Sequence, residues 1–136
     1  PGRSIIGSVG SLISKITYIK KTKNKIFVIL DCAMNDFLRP ALYGAKHEIL
    51  PTVKNSKKIK KTTEFVGPIC ETTDTFLKLT KFQSVKEGDN IAILNTGAYG
   101  MSLSSNYNVR PMPIEILIKN RKSSVILKRQ KLNEIT

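Results

Sequence analysis

The chain has 136 residues, 40% of them hydrophobic, and a formal net charge of +13, enough for one domain with its own core and too short for two. The positive excess comes from 18 lysines against 5 arginines; guanidinium is the better bidentate reader of phosphate, so this balance argues against a surface built for nucleic acid. No apolar run has the length of a membrane span, no charged-then-apolar leader opens the chain, and Cys32 and Cys70 lack the spacing of a metal site or a disulfide framework.

Those exclusions describe a soluble, cytoplasmic protein with no membrane partner and no metal. The start at Pro1-Gly2-Arg3, without methionine, reads as a cut from something longer. Ser4 to Gly10 is small, Gly- and Ser-rich, and predicts a short helix or a packed loop. Ser11 to Lys20 and Lys25 to Cys32 carry β-branched and aromatic residues, and predict two strands joined by the turn Lys21-Thr22-Lys23-Asn24. Ala33 to Ala45 loses this alternation, and Asn35 to Leu38 with Pro40 soon after predicts a helical turn in an irregular loop.

Asn55 to Lys61 holds four lysines in seven residues and reads as a solvated loop. Thr62 to Val66 predicts a strand that ends in Gly67-Pro68. The following Ile69-Cys70-Glu71-Thr72-Thr73-Asp74 sets a thiol beside a carboxylate at a strand end, where side chains are held rigidly and can touch one ligand. The residues alone leave Cys70 open between a reactive group and a half-buried small hydrophobe. Asp74 to Leu79 reads as one turn of helix, Val85 to Asp89 as a turn, and Asn90 to Leu94 as a strand.

Asn95 to Asn108, rich in Gly, Ser, Asn and Tyr, is too long and irregular for a hairpin, and loops of this kind carry function more often than padding. Two strands, Pro113 to Ile118 and Ser123 to Lys128, close the chain around a turn at Asn120, before a polar tail. Short strands between turn clusters predict a mainly β fold: a small antiparallel β-barrel, Greek-key-like, or a sandwich, with short helices in its loops.

Four stretches go beyond composition: Pro1-Gly2-Arg3, Met34-Asn35-Asp36-Phe37-Leu38-Arg39-Pro40-Ala41-Leu42-Tyr43, Gly67-Pro68-Ile69-Cys70-Glu71, and Gly97-Ala98-Tyr99-Gly100 running into Ser104 to Asn108. In this order and spacing they resemble the C-terminal part of the diaminopimelate decarboxylases, members of the fold-type III pyridoxal-phosphate decarboxylase family alongside ornithine and arginine decarboxylases. The resemblance implies two domains in the whole protein: an N-terminal α/β barrel that holds the cofactor, and a C-terminal β-barrel domain. Residues 1–10 then correspond to the end of the first and residues 11–136 to the second. It also implies a homodimer with shared active sites, a small amino-acid substrate, and a pyridoxal 5'-phosphate cofactor whose anchoring lysine is not in this chain.

By the same resemblance, Gly2 and Arg3 contact cofactor phosphate and substrate carboxylate, and Arg39 with Tyr43 binds the substrate carboxylate. Tyr99 contacts both cofactor and substrate. Cys70 and Glu71 reach a partner's site, Cys70 as proton donor and Glu71 as acceptor for the distal ammonium. Residue chemistry agrees: a planar guanidinium grips a carboxylate through two parallel hydrogen bonds, and a thiol with pKa about 8.5 is mostly protonated at neutral pH and has a proton to give. The chain alone is expected to be inactive.

His47 reads as packing or as hydrogen-bonding support, Cys32 as core, Arg110 as either structural or ligand-facing, and Tyr107 as either loop packing or ligand contact. Two other readings stand beside the main one. An ornithine- or arginine-type decarboxylase would not need Arg39 to read a second carboxylate, and a small basic nucleic-acid-binding barrel would interleave aromatics with basic residues on one sheet face.

Overall fold

The computed structural model describes residues 1–135. Its strands are β1 (Ser11–Lys21), β2 (Lys25–Leu30), β3 (Ile49–Pro51), β4 (Lys58–Ile59), β5 (Thr62–Val66), β6 (Thr75–Leu79), β7 (Phe82–Gln83), β8 (Asn90–Leu94), β9 (Glu115–Lys119) and β10 (Lys122–Leu127). Two one-turn helices, α1 (Gly2–Ile6) and α2 (Arg39–Tyr43), lie in the connections.

Alternation decides which residues face inward. In β2, Ile26, Val28 and Leu30 are buried and the residues between them are not. In β1 the inward set begins as Leu12, Ser14 and Ile16. A bulge between Ile16 and Tyr18 then adds a residue, so Ile19 returns to the core side while Tyr18 faces solvent. Ile91 and Ile93 of β8 and Phe65 of β5 complete the most deeply buried group.

Six strands form one sheet in the order β3-β8-β1-β2-β5-β6. Both outer strands feed the same core, Ile49 from β3 and Phe76 from β6, so the sheet curls around a single interior. The β4–β7 ribbon covers one end, with Phe82 edge-on to Phe65 at 4.8 Å between ring centroids.

The fold is mainly β with short helices in its loops, as expected, but the sheet is a curled half-barrel and not a closed barrel. β3 and β6 are free edges. Nor is it wholly antiparallel: β2 and β5 run parallel, because the long connection between them carries α2, β3 and β4 and returns the chain to the starting end.

A second correction concerns Asp74 to Leu79. An Asp before an apolar run imitates a helix N-cap, yet the Asp74 carboxylate accepts hydrogen bonds from Ile69 and Met34, and Thr75–Leu79 pairs with β5 as a strand. Lys58 and Ile59, expected in a solvated loop, pair with β7 instead. The final hairpin turns at Asn120 and Arg121, both with left-handed φ (51° and 61°), as a tight two-residue turn demands. Among the described residues, no helix is long and apolar enough to cross a membrane.

Candidate functional site

The N-terminal segment and the loop after β8 are clipped together where two glycines meet. Thr96 N–H donates to the Gly10 carbonyl at 2.9 Å, and Gly97 N–H to that of Gly7 at 3.0 Å. A Cβ on Gly97 would lie 2.2 Å from the Ile6 carbonyl oxygen, and one on Gly10 2.4 Å from the Gly97 backbone. Only glycine permits this approach. It sets α1, carrying Arg3, beside the loop that carries Tyr99.

Between α1 and the chain around α2 lies a cleft of about 340 Å³, lined among others by Arg3, Arg39, Lys46, His47 and Asn95. Among the described residues, no acidic one lines it. Arg39 starts the short helix whose first turn holds Pro40, and Gly44 ends it at a left-handed φ of 62°. The Arg39 side chain is buried, and its Nε has no hydrogen-bond partner among the described residues. Its Nη1 lies 3.5 Å from Nε2 of His47.

His47 is itself fixed. Its Nδ1 is 2.9 Å from the Leu94 carbonyl oxygen, and its ring meets Phe37 edge-on at 4.7 Å. Burial lowers its pKa and the Arg39 cation lowers it further, while the bond to Leu94 opposes them. A neutral ring follows at neutral pH.

The second part of the site is the turn from Gly67 to Asp74. Asp74 is buried and braces the turn from inside, one carboxylate oxygen accepting Ile69 N–H at 2.9 Å and the other Met34 N–H at 2.7 Å. Burial raises its pKa above the ordinary carboxylate range, and these two bonds resist the rise. The carboxylate sits so close to Gly67 that a Cβ there would be 2.2 Å from it. Held by this brace, Cys70 and Glu71 are exposed at the tip. The half-buried placement considered for Cys70 is therefore wrong: its strand ends at Val66, and the turn carries the thiol out of the core.

Glu71 accepts a hydrogen bond from the Tyr107 hydroxyl at 2.5 Å, and this contact raises the phenol's pKa. The Tyr107 loop is docked on the chain before α2. Asn35 Nδ2 donates to the Ser105 carbonyl at 3.2 Å, and Ser105 N–H donates back to the Asn35 carbonyl at 3.0 Å. Arg110 donates to Asn35 Oδ1 and to the Asp31 carbonyl, 3.7 Å from Asp36. Its hydrogen bonds go to the loop framework, which decides its reading as structural.

Of the sequence-predicted site residues, the cleft brings together Arg3 and Arg39. Cys70 and Glu71 stand together on the braced turn. Gly2, Tyr43 and Tyr99 are exposed, and Tyr99 is held at a left-handed φ of 58°, a conformation costing about 1–3 kcal/mol and concentrated at ligand sites. Cys32 is buried, and burial pushes its thiol far above the ordinary range, as a core residue requires. Asp74 and the Gly10–Gly97 contact were not foreseen. The only local signal for Asp74 was its place at the end of the Gly67-Pro68 turn.

The family described as pyridoxal-dependent decarboxylase, C-terminal sheet domain, matches residues 5–97. A diaminopimelate decarboxylase of Helicobacter pylori is 46% identical over 135 residues, covering 99% of this chain and 33% of that protein. One from Zymomonas mobilis is 43% identical, covering 99% and 32%. The crystal structure of diaminopimelate decarboxylase from M. jannaschii in co-complex with L-lysine superposes with a TM-score of 0.94 at 34% identity, covering 99% of this chain and 31% of that one. A lysine decarboxylase from Selenomonas ruminantium, at 20% identity and a TM-score of 0.69, shares the fold alone. The chain spans about a third of the length of the curated relatives it matches. With its curled sheet, its α2 loop and its Cys-Glu turn all inside the matched region, the chain belongs to the pyridoxal-dependent decarboxylase family, as a C-terminal sheet domain.

Proposed function

We propose that this chain is the C-terminal third of a pyridoxal-phosphate-dependent diaminopimelate decarboxylase, which converts meso-2,6-diaminopimelate to L-lysine and carbon dioxide. The observation that carries the reading is the cleft: among the described residues, three cations line it with no acid, and Nε of the buried Arg39 guanidinium has no partner. An unpartnered buried donor of this charge is costly unless a ligand satisfies it. A carboxylate fits.

The cofactor's phosphate is a second anion suited to this end of the molecule, and Gly2 and Arg3 are the residues that would hold it. Pyridoxal phosphate, when bound, supplies an electron sink for the bond to the departing carboxylate. This chain's residues do the rest. Arg39, with Arg3 and Tyr43, holds the carboxylate that does not react, so the other end is the one presented to the cofactor. Glu71, oriented by Tyr107, pairs with the distal ammonium. Cys70 returns a proton to the carbon that lost carbon dioxide.

The exposure of Cys70 and Glu71 fits a site completed across a homodimer, in which they serve the cofactor held by the other subunit. Residues 1–10 are the end of the missing α/β barrel, and the exposed Ile5, Ile6 and Val9 are surface for it. Arg39 favours a substrate with two carboxylates over ornithine or arginine, which have one. In the longer protein, Arg39→Lys keeps the charge and loses the two-pronged grip, so KM for diaminopimelate rises about 10–100-fold. An unchanged KM removes Arg39 from the site.

A further inference from the structure

We infer that His47 is a positioning residue for Arg39, its Nε2 lone pair fixing the guanidinium where Arg39 lines the cleft. The inference rests on the carboxylate-binding role proposed above for Arg39. The Leu94 carbonyl oxygen, 2.9 Å from Nδ1, can only accept, so Nδ1 carries the proton. In the neutral ring Nε2 then keeps its lone pair, and 3.5 Å away stands Nη1 of Arg39, which can only donate.

The relay therefore has one direction: Arg39 donates to His47, and His47 donates to Leu94. The edge-on contact with Phe37 sets the ring plane. This matters because an arginine has many rotamers to lose, and holding one of them before the ligand arrives removes that cost from binding. Arg39 sits at the start of a five-residue helix, and its Nε has no partner among the described residues. The His47 contact is the one hydrogen-bonding restraint on its guanidinium among the described residues.

Two substitutions separate positioning from packing. His47→Gln places an amide oxygen near the site of Nε2 and keeps an acceptor for Arg39. His47→Asn keeps a donor near Nδ1 for Leu94 and gives that acceptor up. In the longer protein carrying this chain, with L-lysine as the probe in calorimetry, His47→Asn weakens binding about tenfold and His47→Gln by about threefold or less. Asn binding as well as Gln, or both binding as the unmodified protein does, overturns the inference.

The nitrogen chemical shifts of the His47 ring provide a second reading that needs no variant to fold: an Nδ1-protonated ring is expected, and an Nε2-protonated ring overturns the relay. Failure of the unmodified protein to bind L-lysine would count against the decarboxylase reading. The ring shifts would then decide the His47 contact by themselves.

Discussion

Two cysteines of one chain have opposite surroundings. Cys32 is packed in the core with its amide bonded to Ser14, and burial holds its thiol protonated and out of reach. Cys70 stands exposed beside Glu71 on a braced turn. In the longer protein, Cys70→Ala is expected to lower kcat on the order of 100-fold, as loss of a proton donor does, with KM within about threefold. Steady-state kinetics on diaminopimelate check this, and equal turnover removes Cys70 from the mechanism. Arg39, Cys70 and Glu71 stood out in the sequence because each sits in a short contiguous motif, and the structure places Arg39 on the cleft and Cys70 with Glu71 on the exposed turn. The supporting part of His47 was legible, but the partners in such contacts were not: His47 is fixed by Leu94, 47 positions away, and Asp74 by Met34, 40 positions away. No local pattern encodes such pairs.

At the scale of elements, the turn from Gly67 to Asp74 depends on a missing side chain. Gly67→Ala puts a methyl against the Asp74 carboxylate, so either the turn opens or Asp74 leaves Ile69 and Met34 unbonded. Denaturant unfolding followed in this domain is expected to show a loss of about 2–4 kcal/mol. A change below about 0.5 kcal/mol, the scale of an ordinary surface substitution, would mean the turn is not braced in this way.

The outer face of the sheet has a different device. Glu64 on β5 meets Lys25 of β2 at 2.8 Å and Lys78 of β6 at 3.4 Å, and the Lys25 hydrogen bond leads in holding its carboxyl below the ordinary range. A folded-state pKa below the unfolded value adds stability above about pH 4.5, and that stability is lost as pH falls through the folded value. Glu64→Gln therefore costs about 1 kcal/mol at neutral pH, with the gap closing as pH falls below about 4.5. Urea unfolding across this range checks the sign; a gap that widens on acidification contradicts it.

Strand existence was legible where alternation ran for five residues or more, as in β2, β5 and β8. It failed for β3, β4 and β7, which are two or three residues long, and for β6, where Asp74 imitated a cap. The parallel pairing of β2 with β5 lies outside any local pattern, so the closed antiparallel barrel was the natural but incorrect extrapolation.

Across the whole molecule, surface and site point the same way. The β9–β10 hairpin exposes Ile116, Leu117, Ile118, Val125, Ile126 and Leu127, more apolar surface than a solvated hairpin needs. The cleft gathers Arg3, Arg39 and Lys46, and the braced turn exposes a thiol beside a carboxylate. The chain spans about a third of the length of its curated relatives.

The most direct test is L-lysine and carbon dioxide release from meso-2,6-diaminopimelate with added pyridoxal phosphate, measured for the longer protein and for this chain by itself. Product is expected from the longer protein, with diaminopimelate preferred over ornithine or arginine as substrate, and none from the chain alone. Lysine release by the isolated chain, or a longer protein that decarboxylates ornithine or arginine and leaves diaminopimelate untouched, would contradict it.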